Sequence, residues 1–196
     1  MKALVVIAHP CSDSFGHAAA RRAVDGLRTA GHEVDTIDLY AEGFVAAMSP
    51  DEWKAYATDE PILDPQVAAH AGLLKQAQIV VFVYPTWWSG LPAILKGWFE
   101  RVIVPGVGFT FDGSSGKVRR ELRQVRRIVG ISTYGSPRLP VRLVNDNGRR
   151  IITRGFRMSC GLRARTEWLG LYGMDGANHA DREAFLSRVE QRMAGI

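Results

Sequence analysis

This chain lacks the stretches that would place it in a membrane. Its 196 residues contain no run of eighteen apolar residues, and a spanning helix needs about that many or more. The opening MKALVVIAHP has one lysine and a short apolar run. That is less than a signal peptide requires, so the run reads as a first strand. Cysteine is scarce. Cys11 and Cys160 are the only two, too few for a disulfide framework, and they fit a reducing cytoplasm. No internal repeat, linker or low-complexity tract interrupts the chain, so residues 1–196 read as one domain. No G-x-G-x-x-G follows the first strand, which disfavours a dinucleotide-binding Rossmann site, and no G-x-x-x-x-G-K-[ST] marks a P-loop. No pair or triad of His, Cys and carboxylate residues has metal-ligand spacing, so no metal site is expected.

What is present is ordinary in composition, with 46% hydrophobic and 23% charged residues, and suits a globular domain that buries a core without staples. The charge is less ordinary. The formal net charge is +5, and residues 117–165 hold fourteen Lys or Arg against two acids, Glu121 and Asp146. That segment is either a solvated face or a surface for an anionic cofactor phosphate or an acidic partner. Without a recognised DNA- or RNA-binding motif, nucleic acid is not an expected partner.

Apolar periodicity alternates strand and helix. Strands are expected at residues 2–8, 33–39, 79–84, 126–133 and 163–172. Helices are expected at 14–30, 64–77, 91–104 and, despite Gly148 and Gly155, across 140–160. Asp181 is the expected cap of a last helix running to Met193. Residues 40–63 read as irregular with a short helix after Ser49-Pro50, and residues 105–116 as a Gly-rich excursion around GFTFDG. Strands alternating with helices imply a parallel sheet covered on both faces. Five of them suit the doubly wound α/β order 2-1-3-4-5, with the Rossmann order as the alternative.

The organising stretch is IVVFVYPTWWSGLPAILKGWFER, residues 79–101. An unbroken apolar, β-branched run reads as a strand buried on both faces. Pro85, Thr86, Trp87, Trp88, Ser89 and Gly90 form a loop, and Pro92 opens a helix whose apolar residues recur through Val102. Ligands bind at the carboxyl ends of central strands in such sheets, and two flat rings among small residues suit a flat, polar-edged ligand. One of the two tryptophans could equally be core. After strand one comes HPCSDSFGH, residues 9–17, where Ser12 or Ser14 can cap the helix and helix amides can hold a phosphate. Asp13 is an awkward charge there, and a plain cap beside an exposed His9 is the simpler alternative. After strand four comes Ser132-Thr133-Tyr134-Gly135-Ser136-Pro137, which could be a simple turn. His17, His32 and His70 read as surface residues, and Cys11 as a small buried thiol.

From Pro85 to Val102 the chain resembles the flavodoxin-like NAD(P)H:quinone oxidoreductases, the DT-diaphorase group with its short bacterial relatives. The resemblance covers about residues 2–136. It implies a flavodoxin-like fold and a flavin, FMN in first place with FAD as alternative. It also implies NADPH or NADH as co-substrate, a quinone-like aromatic acceptor, ping-pong hydride transfer and a homodimer. By the same resemblance His9, Ser14, Phe15 and Gly16 meet the flavin phosphate side, and Thr86, Trp87, Trp88 and Ser89 meet the ring. Ser132, Thr133, Tyr134 and Gly135 meet the pyrimidine edge. Tyr134 replaces the first glycine of the family's Thr-Thr-Gly-Gly and is the one candidate catalytic group, covering the ring face or the substrate mouth. Catalysis otherwise belongs to the flavin. Two other classes remain open by resemblance. One is a flavodoxin-type electron carrier, which the basic charge disfavours. The other is a regulatory subunit of a potassium-efflux system, with a membrane transporter as partner.

Overall fold

A computed structural model of the chain describes residues 1–112 and 116–196. Positions 113–115, part of the Gly-rich excursion, lie outside the described residues. Five parallel strands form the main sheet: β1 (Lys2–Ile7), β2 (Glu33–Asp38), β3 (Ile79–Pro85), β6 (Arg127–Tyr134) and β7 (Arg165–Tyr172). Their order is β2-β1-β3-β6-β7, the expected 2-1-3-4-5. Two further strands, β4 (Phe109–Phe111) and β5 (Val118–Arg120), pair antiparallel outside it.

The period-2 geometry of the strands splits the core in two. Ala3, Val5 and Ile7 of β1 and Ile79, Val81 and Val83 of β3 pack under α1 (Phe15–Thr29) and α8 (His179–Ala194). The alternate residues, Leu4 and Val6, Val80 and Phe82, pack under α3 (Pro65–Gln76) and α4 (Ala93–Val102). With both faces covered, β3 has no polar side, which is why it reads as one apolar run. Two glycines allow close packing across these layers. A Cβ on Gly26 of α1 would lie 2.4 Å from the Glu190 carbonyl of α8, and one on Gly130 would lie 2.0 Å from the Trp168 ring.

The structure corrects several boundaries. Residues 140–160 do not form one helix. Asn145 (φ 79°) and Asp146 (φ 44°) are left-handed, and they separate α5 (Arg138–Leu143) from α6 (Asn147–Arg150). A π-helical turn, Ile151–Phe156, and the short α7 (Arg157–Ser159) complete the segment. The last helix is capped by Asn178, not Asp181. Asp181 sits at the third helical position and returns its carboxylate to the Asn178 amide, closing a capping box. Helix α2 (Pro50–Ala55) is the short helix expected after Ser49-Pro50. Among the described residues no helix is long and apolar enough to cross a membrane.

Candidate functional site

β1, β3 and β6 are neighbours in the sheet, so the three loops leaving their carboxyl ends emerge side by side. They are tied to each other. The Thr86 amide donates to the Thr133 carbonyl at 2.8 Å. The Thr86 and Ser132 hydroxyls are paired at 2.8 Å, and the His9 ring lies 6.5 Å from that of Trp87. Three segments that the sequence presents separately are thus one site.

The first loop presents donors without acceptors at a helix N-terminus. Ser14 caps α1, its hydroxyl accepting from the His17 amide. No carboxylate occupies the first turn of the helix. The amides of Phe15 and Gly16 have no intrachain acceptor among the described residues, and the helix dipole adds to their pull on negative charge. His9 stands beside them, its ring touching the space a Gly16 side chain would take. The Cys11 amide donates to His9 Nδ1 at 3.1 Å, which leaves the ring proton on Nε2 as a further donor. Burial pushes the His9 pKa down, which favours this neutral form. His17 is not the surface residue expected. It is 8% exposed, held between Asp38 Oδ2 (2.8 Å) and the Ser14 hydroxyl (3.1 Å). The His17 ring thus ties the capping Ser14 to Asp38 of β2. His70 is likewise buried, against Glu42. Cys11, expected to be buried, is exposed; the buried thiol is Cys160, whose pKa burial raises to about 12.

The second loop is strained. Trp87 and Gly90 exchange both backbone hydrogen bonds, and the two residues between them, Trp88 (φ 47°) and Ser89 (φ 58°), are left-handed. Such a turn normally carries Asn-Gly, and a non-glycine residue held in this region costs about 1–3 kcal/mol. The amides of Trp88 and Ser89 have no acceptor among the described residues. Neither tryptophan is core: Trp87 is 43% exposed and Trp88 103%. The loop is anchored from behind by the Asn147 amide, which donates to the Ser89 carbonyl at 3.1 Å.

The third loop departs most from expectation. At Gly135 a Cβ would lie 2.8 Å from Asp175 Oδ2, so the exposed Asp175 side chain packs close over the bare backbone there. The side chains of Ser132 and Tyr134, however, point into the protein. Tyr134 is 1% exposed. Its ring stacks on Tyr172 with centroids 4.4 Å apart, and its hydroxyl donates to Asp146 at 3.1 Å. It therefore does not cover a mouth in this chain. Burial, then the nearby Asp146 charge, raises the Tyr134 pKa far beyond the usual phenol value, which removes the hydroxyl as a proton donor to solvent-borne groups. Burial also raises the Asp146 pKa, against the hydrogen bond from Tyr134. The Tyr84 hydroxyl is buried beside this pair without a hydrogen-bond partner among the described residues.

Sequence reasoning missed the cleft that continues from Asp146 and Tyr172. It measures about 700 Å3 and is walled by Arg138, Arg142, Arg149, Arg150 and Arg154. The surplus of arginine between 117 and 165 was its signal, but the fold of the broken helical segment was needed to gather five of them.

The donor set fits a flavin: free amides and an imidazole N–H for a phosphate, free loop amides for a polar ring edge, and exposed indoles for a ring face. A family model described as flavodoxin-like fold matches residues 1–193. The NAD(P)H dehydrogenase [quinone] 1 of Rattus norvegicus is 34% identical over an alignment covering 69% of this chain and 54% of that protein. The chain thus spans about half the length of this curated relative. Among solved structures, the NAD(P)H:quinone oxidoreductase from Methanothermobacter marburgensis has a TM-score of 0.81 at 25% identity, covering 99% of this chain and 98% of that one. An FMN-dependent NADH-azoreductase from Bacillus anthracis, solved in complex with FMN, has a TM-score of 0.73 over 99% of this chain and 98% of that one. Its identity of 16% makes that a likeness of fold alone.

Proposed function

Because the chain belongs to the flavodoxin-like fold family, we propose that it is a flavin-dependent NAD(P)H oxidoreductase acting on quinones or similar aromatic acceptors, carried by one domain over residues 1–196. The observation that carries this reading is the convergence of three donor-rich loops at the carboxyl ends of β1, β3 and β6. The resemblance of residues 85–102 to the quinone oxidoreductases supports the choice of acceptor.

A flavin held there would supply the two-electron chemistry between a reduced nicotinamide and the acceptor, which use the site in turn. The protein's part is binding and placement. His9 Nε2–H and the amides of Phe15 and Gly16 hold the phosphate side. The amides of Trp88 and Ser89, fixed by a strained turn, meet the ring's polar edge without having to reorganise. Gly135 and Thr133 border that edge from β6. Trp88 and Trp87 exclude water from one face. No protein acid or base is assigned, since Tyr134 is held inward by Asp146. The five arginines of the adjoining cleft favour NADPH over NADH by offering guanidinium forks to an extra phosphate. Leu139, Leu143 and Val144 are exposed on and just after α5, and the same segment reaches the Trp88 turn through the Asn147 amide, which favours a second subunit covering the site.

The test is an absorbance spectrum of the purified protein after loading with FMN or FAD and desalting, followed by anaerobic NADPH. The expected result is retained yellow colour with FMN that bleaches on NADPH and returns on adding a quinone. Retained flavin that NADPH leaves oxidised would move the reading to an electron carrier or regulatory subunit. A folded protein that retains neither flavin would overturn it.

A further inference from the structure

At the opposite end of the sheet from this site lies a second cleft, of about 950 Å3. One wall carries Arg119, Arg120, Arg123, Arg126 and Arg127, and the other Arg163 and Arg165; no Asp or Glu side chain lines it. We infer that this cleft binds an oligophosphate, a small anion carrying a chain of two or more phosphates.

The walls are built rather than incidental. The Arg165 amide donates to the Arg126 carbonyl at 2.9 Å, and the Leu122 amide to the Ser159 carbonyl at 3.0 Å. Gly161 lets the two segments close up, since a Cβ there would lie 2.9 Å from the Arg123 carbonyl. Beneath them Leu122, Val125, Cys160 and Ala164 are buried, so the arginines stand on fixed backbone. Apart from the carboxylate of Ile196, which also lines the cleft, their charge is little answered from within. Among the described residues only Arg119 forms an ion pair, with Asp112. Nearby Glu167 is taken by Arg192, and Glu121 accepts from Thr110. Six uncompensated guanidinium groups in one concavity repel each other and focus a positive potential. An anion of several charges relieves that repulsion; a single carboxylate does not.

The residue type narrows the ligand. The chain has twenty arginines and five lysines, and this cleft uses arginine alone. Planar forks match phosphate oxygens two at a time, whereas lysine offers only a point charge. The concave shape favours a compact phosphate chain over a nucleic-acid backbone, which needs an extended groove. The inference does not rest on the flavin reading: β6, from Arg127 to Tyr134, puts roughly 25 Å between the two sites.

The experiment is calorimetric titration of the full chain with inorganic triphosphate, with ATP titrated alongside. One equivalent is expected to bind, more weakly as salt rises. Equal affinity for the two ligands assigns the phosphate chain alone, and tighter ATP assigns a nucleotide; both support the site. Arg123, Arg126 and Arg163 are exposed, so changing all three to alanine should leave the unfolding curve in place while weakening triphosphate by about a hundredfold or more. Arg126→Lys with Arg163→Lys keeps the charge and should still weaken binding about tenfold, because the forks are gone. Arg142→Ala with Arg150→Ala, in the other arginine cleft, should change affinity less than about twofold, as expected of independent sites. Undiminished binding in the triple variant, loss in the Arg142 and Arg150 variant instead, or a single-stranded RNA oligomer that outbinds triphosphate at the same salt would each overturn the proposal.

Discussion

Trp88 concentrates what is unusual about the site in one residue. Its indole is fully exposed, on a left-handed backbone, with its amide free. An exposed side chain on a costly backbone conformation is the mark of a ligand contact, the role proposed for Trp88. Trp88→Ala should therefore leave thermal unfolding within about 1 °C of the parent, since no buried contact is lost. Flavin affinity should fall roughly tenfold through loss of one aromatic packing partner. Equilibrium flavin titration beside a melting curve checks both, and undiminished affinity would remove Trp88 from the ring face. The positions of His9, Ser14 and the Trp87–Gly90 loop after β1 and β3 were readable from the sequence because both strands are apolar runs. The inward turn of Tyr134 was not readable. It depends on Asp146 and Tyr172, which are distant in sequence and reach Tyr134 only once the segment after β6 breaks at Asn145. The burial of His17 was hidden for the same reason, its carboxylate partner being Asp38 on β2.

At the level of elements, α4 shows how the helix behind the central loop is held. Gly97 and Arg101 lie one turn apart on the same face. A Cβ on Gly97 would sit 2.1 Å from the Ala46 carbonyl. Arg101 donates to the Val45 carbonyl at 2.6 Å, to Glu52 at 2.6 Å and to Asp64 at 2.7 Å. One buried guanidinium thus joins α4 to the first turn of α2, where Glu52 also closes the capping box with Ser49, and to the cap of α3. The apolar period of α4 was plain in the sequence, but this ionic hub was not, because its partners come from the segment that read as irregular. Removing one partner of a buried ion network costs about 3–5 kcal/mol, so Arg101→Ala should lower urea-unfolding stability by that order. The network also has a pH signature. Burial raises the Glu52 pKa, but the Ser49 amide and Arg101 outweigh it and leave it below the usual range. At Asp64 the Arg101 hydrogen bond dominates and lowers it. Carboxyls depressed in the folded state stabilise above their unfolded pKa of about 4 and lose that stabilisation as pH falls through the folded values. The gap between parent and Arg101→Ala should therefore be full at pH 7 and shrink below about pH 4. A gap that is constant with pH would mean that packing, not charge, is what Arg101 supplies.

Across the whole molecule, the sheet separates two basic regions from each other and both from the neutral core. The 119–127 and 163–165 arginines sit at the amino ends of β6 and β7, and the 138–154 arginines beside their carboxyl ends. The sheet order itself was readable because β1, β3 and β6 are apolar runs with helical periods between the strands, and parallel crossovers leave few ways to connect them. A second copy over the site, which the resemblance implies, is a proposal that the exposed face of α5 supports. Leu139 and Leu143, exposed at 67% and 78%, stand on α5. The chain then turns through Asn145 and Asp146 to Asn147, whose amide holds the Trp88 turn. Apolar side chains clustered beside a ligand site, on a chain of high positive charge, are what a second copy would cover. A homodimer is accordingly expected, with light scattering giving twice the chain mass for the flavin-loaded protein. Leu139→Asp with Leu143→Asp should leave a folded monomer, because neither side chain belongs to the core, and should weaken flavin binding together with dimerisation. If the variant becomes monomeric and keeps its flavin undiminished, the site is complete within one chain. If it stays dimeric, the interface lies on another face and the exposed leucines do not form it.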